Sequence, residues 1–194
     1  MKIFAGWGIV LPMMMLAWPA EAAPVSYAIE PVHTHPSFEV PHLHISLWRG
    51  QFLKTGGTVV LDREAMAGSV DVTIEAASIE FGNQKLNEHV CSKDFFDVAR
   101  FPAITYKGSF DRFQDGIPVS VKGQLTMVGI TRPVDLTINS FKCIQHPMFK
   151  REACGADARG SFKRSEFGIS YGVPSHGDDV TVRIQVEAVR EAAP

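Results

Sequence analysis

Four of the seven histidines fall in two closely spaced pairs, His33-Thr34-His35 and His42-Leu43-His44. Residues two apart on a strand point to the same side, so each pair could offer two imidazoles to one ion, and the four together would suit zinc or copper. A metal-binding or stress-response protein built on His33, His35, His42 and His44 is therefore one reading. The other is that these histidines satisfy backbone groups at strand ends or meet a polar ligand head, since Pro36 and Pro41 interrupt the intervening segment. His89, Asp94 and Asp97 form a second polar group that could exchange protons, although residues of these types beside a helix serve mainly as caps. No nucleophile elbow, Gly-rich phosphate loop or His-Glu-x-x-His helix is recognised, and the chain is not expected to be an enzyme.

The elements that must position these residues belong to an exported domain. Lys2 is followed by an apolar stretch from Ile3 to Trp18 and then by Ala20-Glu21-Ala22, with small residues where a signal peptidase reads. Residues 1–22 are expected to be a signal peptide cleaved before Ala23, leaving residues 23–194 as one domain in the periplasm or outside the cell. A retained anchor fits less well, because the stretch is short of the roughly 20 apolar residues that span a bilayer and contains Pro12 and Pro19. Nineteen basic against 21 acidic residues supply no field for phosphate backbones, which argues against nucleic acid as a partner. Cys143 and Cys154 bracket a polar, Pro-containing loop between strand-like flanks, and a disulfide across it is expected in an oxidising compartment. Such a loop closure contributes on the order of 3 kcal/mol. Cys91 is left over and reads as a small buried hydrophobe.

The dominant hydrophobic period is two. Val70, Val72, Ile74 and Ala76 alternate with polar residues, as do Val119 to Met127, Val134 to Ile138, and Val180 to Ala188. Less regular strands are expected around 27–29, 37–40, 48–54 leading to 58–61, 103–113 and 156–164. Gly56-Gly57, Asp115-Gly116, Gly129 and Gly177-Asp178 sit at hairpin-like positions. About eight antiparallel strands result, with one helix over roughly 83–96 capped by Asn83. One short helix cannot cover such a sheet, so the sheet must close into a barrel or pack as a sandwich. An eight-stranded barrel is either just filled by its side chains or holds one small ligand, and periodicity does not distinguish the two. Phe38, Trp48, Phe52, Phe95, Phe96, Phe101 and Tyr106 could line such a cavity or fill it.

Several motifs in order carry a family resemblance. His33-Thr-His-Pro-Ser-Phe38-Glu-Val40-Pro-His42-Leu43, Arg49-Gly-Gln-Phe52 and Ser78-Ile79 are followed by His89-Val-Cys-Ser-Lys-Asp94-Phe95-Phe96-Asp97 and Phe101-Pro102. Gly123-Gln-Leu-Thr-Met-Val-Gly129-Ile-Thr131-Arg-Pro133 and Arg164-Ser-Glu-Phe167-Gly168 complete the series. This set resembles the YceI-like polyisoprenoid-binding proteins. The resemblance implies an all-β fold, an elongated eight-stranded antiparallel lipocalin-like barrel with one or two short helices, holding a long isoprenoid or other amphiphilic lipid. It implies no cofactor and no catalytic residues. It places Phe38, Val40, Phe52, Phe95, Phe96 and Phe101 against the lipid chain and His42 and His89 near its head. A transient membrane contact and a monomer or homodimer are in keeping with such a carrier. The family commonly has Arg-Asp where this chain has Leu86-Asn87, which favours a neutral head such as a quinone over a phosphate.

Overall fold

The computed structural model describes residues 23–192, and the expected signal peptide lies outside them. In chain order the elements are β1 (Val25–Ile29), β2 (Ser37–His42), β3 (Ser46–Phe52), β4 (Thr55–Asp62), β5 (Ala67–Glu75), β6 (Ile79–Glu80), helix α1 (Gln84–Cys91), β7 (Ala103–Gln114), β8 (Ile117–Met127), β9 (Ile130–Pro133), β10 (Leu136–Gln145), β11 (Glu152–Lys163) and β12 (Asp179–Arg190). Among the described residues no helix is long and apolar enough to cross a membrane.

Eight of the strands form a closed antiparallel ring, β1-β4-β5-β7-β8-β10-β11-β12, in which β12 returns to pair with β1. The barrel expected from the alternation is therefore the fold. The strands expected around 37–40 and 48–54 do form, but they stand outside the ring: β2 pairs with the first half of β12, β3 pairs with β2, and β6 pairs with β3. The wall branches because β12 is long enough to serve two partners, β2 through Thr181–Arg183 and β1 through Ala188–Arg190. Between these pairings the Thr34 hydroxyl does the ladder's work. It donates to the Glu187 carbonyl at 3.3 Å and accepts from the Glu187 amide at 3.1 Å, so the break in the chain leaves no orphaned backbone group there.

Two of the expected turns are confirmed by their backbone. Asp115-Gly116 and Val128-Gly129 both have positive φ at each residue, as a two-residue hairpin of type I′ requires. Gly56-Gly57 is different, since it lies within β4 rather than at a turn. Gly57 has φ 143°, and a Cβ there would fall 2.1 Å from the Asp71 carbonyl oxygen, so the neighbouring strand β5 approaches too closely for a side chain. The helix also ends earlier than the expected residue 96. Asn83 caps it by accepting the Leu86 amide, but it stops at Cys91, and residues 92–97 fold back in turns with Asp97 at φ 43°. After that reversal the adjacent Phe95 and Phe96 both line the barrel interior.

One end of the barrel is closed by a cluster of Tyr27, Leu61, Cys154 and Ala188, with Phe110 and Phe113 packed against it. Cys143 and Cys154 face each other in the β10–β11 register and are joined as a disulfide in this cluster. Cys91 is half-buried, and burial raises its thiol above the usual range. The Tyr27 hydroxyl donates to Glu152 at 2.9 Å, and the Arg63 guanidinium donates to the same carboxylate at 2.7 Å. Burial opposes the charge on Glu152, yet these two bonds prevail and hold its carboxyl below its ordinary value of 4.5. A carboxyl depressed in the folded state stabilises the fold above its unfolded value, and that contribution disappears as the pH falls through the folded value. We therefore expect the melting temperature of the wild type to exceed that of Glu152→Gln at pH 7, with the gap narrowing as the pH is lowered below 4.5. A gap independent of pH would show that the carboxylate's charge is not what matters.

Candidate binding cavity

Inside the ring, the inward residues of β5, β7, β8 and β10 pack into a core that includes Ile74, Ile104, Tyr106, Leu125 and Leu136, but they do not fill the whole interior. Val70, Val72, Val182, Ile184 and Val186 lie on the inward face, yet they remain only partly covered although the barrel is closed around them. In a filled barrel these side chains would be buried as fully as Ile74 or Ile104. The space they leave is a cavity of about 330 Å³. Its wall follows β12 from Val180 to Val186, a length of roughly 20 Å at the rise of a strand. The cavity is therefore narrow and long.

Its far end stops at the Tyr27–Leu61 cluster. At the other end the lining residues His89 and Tyr171 are exposed to solvent, which locates the mouth. Aromatic rings frame this mouth. His42 stacks on Trp48 with centroids 4.0 Å apart and meets His176 edge-on at 4.9 Å. His89 makes edge contacts with both Phe95 and Tyr171 at 5.1 and 5.2 Å. Phe38 packs on Phe52 and Phe81, and Phe52 on Phe96. Of the residues expected to contact a lipid, Phe38, Val40, His42, Phe52, His89, Phe95 and Phe96 all line the cavity. Phe101 does not. It packs on the Gly129 turn beneath the Arg100 guanidinium, outside the cavity, because the chain has already turned toward the start of β7.

The segment 168–178 crosses the mouth and is held by a buried cation. Arg164, 7% exposed, donates to the carbonyls of Gly177, Ile169, Tyr171 and His176 at 2.8 to 3.0 Å. Burial lowers its pKa from the ordinary value, with the Asp178 charge acting in the opposite direction. The role of Arg164 as the clasp of this segment was not visible in the sequence, where it appeared only as part of a motif. Tyr106, also on the lining, donates to the Val134 carbonyl at 2.9 Å, and burial pushes its phenol well above the usual range, so it stays neutral. Gly123 makes room for that ring, since a Cβ there would meet the Tyr106 hydroxyl at 2.2 Å. Leu86, at the position where a charged partner was considered, lines the cavity as an apolar residue. Asn87 instead accepts the Phe81 amide and donates to Glu80, pinning β6 to the helix.

The four paired histidines are not gathered. His33 and His35 lie in the break between β1 and β2 rather than on a strand. His33 bonds Glu30 at 2.6 Å, and His35 reaches the Val32 carbonyl. His42 ends β2, and Leu43 and His44 take positive φ in the following turn, so the strand geometry that would align two imidazoles is lost. Among the described residues the one group of three potential metal ligands is Cys143, Glu152 and Cys154, whose two sulfurs are bonded to each other. His89, Asp94 and Asp97 are also separate, with Asp97 bonded to Arg100. Gly168-Ile169-Ser170-Tyr171-Gly172 matches the Gly-x-Ser-x-Gly pattern of a nucleophile elbow, a match our reading of the sequence passed over. It follows a short 3₁₀ turn, Arg164–Phe167, and leads into turns rather than a helix, without the strand–turn–helix context such a serine needs.

Comparison with known proteins agrees with this architecture. Residues 27–188 match the family model described as the YceI-like domain. Protein YceI of Escherichia coli O157:H7 is 29% identical over 180 residues, covering 92% of this chain and 93% of its own. The crystal structure of the Campylobacter jejuni YCEI protein superposes with a TM-score of 0.65 at 26% identity, covering 78% of this chain and 90% of the other. A polyisoprenoid binding domain from Saccharophagus degradans, at 12% identity, shares the fold with a TM-score of 0.63 over 86% of this chain and 99% of its own. A closed barrel with an apolar bore, the ordered motifs and a family match across nearly the whole described domain lead to one conclusion: the chain belongs to the YceI-like family.

Proposed function

We propose that this protein is an exported carrier that encloses the chain of one long isoprenoid or similar amphiphilic lipid in its barrel, sequestering it or moving it between membranes without catalysis. The observation that supports this reading is the hollow, apolar bore, whose inward valines and isoleucines are left uncovered in a closed fold. The polyisoprenoid binding domain with the same fold lends the ligand class. Each methylene removed from water contributes about 0.8 kcal/mol, so roughly ten buried carbons supply about 8 kcal/mol, the magnitude of a micromolar Kd before ordering costs. Aromatic anchors at the mouth and few polar atoms in the bore favour a neutral head such as a quinone. Residues 1–22 and the disulfide support the periplasm, or secretion, as the location.

The experiment is lipid extraction and mass spectrometry of protein purified from its own host, paired with Val72→Trp, which places an indole in the middle of the bore. The wild type is expected to yield one polyprenyl-type lipid per chain. The variant should stay folded and take up such lipids at least about tenfold less well, as loss of space for several methylenes would cause. Lipid-free wild-type protein that also refuses quinone and polyprenol analogues would end this reading.

Exchange with a membrane is part of the same proposal. The β2–β3 turn beside the mouth exposes Leu43 and Ile45, and the start of β3 exposes Leu47, with Ile45 82% exposed; the Leu43 amide bonds the Ser175 carbonyl of the crossing segment. No carboxylate occurs between Glu39 and Asp62, nor between Glu166 and Asp178, so these two segments do not repel an anionic lipid surface. Ile45→Asp combined with Leu47→Asp is expected to slow lipid transfer between vesicles while leaving uptake of a dispersed short-chain analogue unchanged. Unaltered transfer rates would remove the turn from the exchange step.

A further inference from the structure

Among the described residues of the cavity wall, one buried side-chain polar atom has no partner. Thr55 opens β4 and shares the inward face of that strand with Val59 and Leu61. It is 5% exposed, lines the cavity, and its hydroxyl makes no hydrogen bond. Its register partner across the sheet is Ile74, which in turn pairs with Ile104, so the hydroxyl is bordered by aliphatic residues on that side. Of the other hydroxyls on the wall, that of Tyr171 lies at the solvent-exposed mouth and the rest are engaged. Thr34 bonds Glu187, Ser37 donates to the Arg183 carbonyl, and Tyr106 donates to the Val134 carbonyl. A buried hydroxyl left unpaired carries a desolvation penalty that valine, of nearly the same shape, would avoid.

We infer that Thr55 is a polar anchor for the ligand, donating its hydroxyl proton to a neutral oxygen carried by the lipid, a quinone-type carbonyl or an alcohol. The inference rests on the cavity reading above and adds a position and a chemistry to it. An ionised phosphate is a poor occupant at this point. Arg164, whose carbonyl bonds already engage it, is the cavity's Lys or Arg side chain among the described residues, and it belongs to the segment crossing the mouth. Burying a phosphate beside Ile74 without a cation would cost far more than one hydroxyl returns. A neutral oxygen meets the hydroxyl without that cost. It also turns the wall's unpaired group into a source of selectivity, because an analogue lacking the oxygen leaves Thr55 unsatisfied.

The test compares Thr55→Val and Thr55→Ser with the wild type by displacement of a fluorescent fatty probe from the delipidated protein. The competitors are geranylgeraniol, decylubiquinone and a branched hydrocarbon of matching length without oxygen. Thr55→Val should bind the two oxygenated competitors about three- to tenfold more weakly, as loss of one hydrogen bond predicts, while binding the hydrocarbon as well as or better than the wild type. Thr55→Ser should retain the preference for oxygen. Unliganded Thr55→Val should melt at the same or a higher temperature, which separates a lost anchor from a damaged fold. Equal effects on oxygenated and hydrocarbon competitors would overturn the anchor while leaving the cavity reading intact. Failure of the wild type to bind any competitor would overturn both.

Discussion

Three residue pairs, Tyr27–Arg190, Ala28–Val189 and Ile29–Ala188, join the first strand of the barrel to the last. Without them the sheet would have two open edges and an apolar face that one eight-residue helix could not cover. Closure converts that exposed face into an interior. It also fixes which residues face inward on every strand, because a slip of one residue would exchange the two faces. The cluster of Tyr27, Leu61 and Ala188 sits next to this seam, and the Cys143–Cys154 bond and the Tyr27–Glu152–Arg63 network brace it. The seam and the closed end of the bore are thus one structure.

What the ring encloses is decided by side-chain size. The inward positions of β5 and β12 are mostly valine and isoleucine and leave space beside the core they pack on, whereas most of the rings gather toward the mouth or the closed end, Tyr106 beside Val72 being the exception. Phe52, Phe95 and Phe96 narrow the entrance without plugging the centre. The polar atoms of the wall mostly serve the protein itself, through Thr34 in the broken ladder, Tyr106 against Val134 and Arg164 across the segment 168–178. Such a bore excludes water cheaply, and an apolar chain inside it would need few directed contacts.

Much of this was legible in the sequence, for physical reasons that differ between elements. The strict alternation from Val70 to Ala76 and from Val180 to Ala188 reports a wall with one dry face, and the need to cover that face pointed to closure. The order of the motifs placed seven of the eight suggested ligand contacts on the cavity wall. Phe101 lies off that wall, and an aromatic residue in a motif gives no information about which side of a turn it faces. The histidine pairs misled because spacing of two implies a shared face only on a continuous strand, and both pairs fall at breaks, one of them with positive φ at Leu43 and His44. Gly57 resembled a turn residue, although its role is to admit the neighbouring strand. Whether the barrel is hollow could not be read from periodicity, since a filled core and an empty one have the same alternation. Arg164 and Thr55 were equally hidden, because their importance depends on partners distant in sequence or on having none.

The central claim is that the inner face of the ring is a vacant surface shaped for a lipid chain. Methyl NMR of the delipidated protein, titrated with a polyprenol in stoichiometric amounts, addresses it most directly. The account predicts shifts confined to Val70, Val72, Val182 and Ile184 and their inward neighbours, complete at one equivalent, with the outward methyls of Thr73 and Thr137 unmoved. Shifts on the outer face of the barrel, or an inner face indifferent to the ligand, would contradict it.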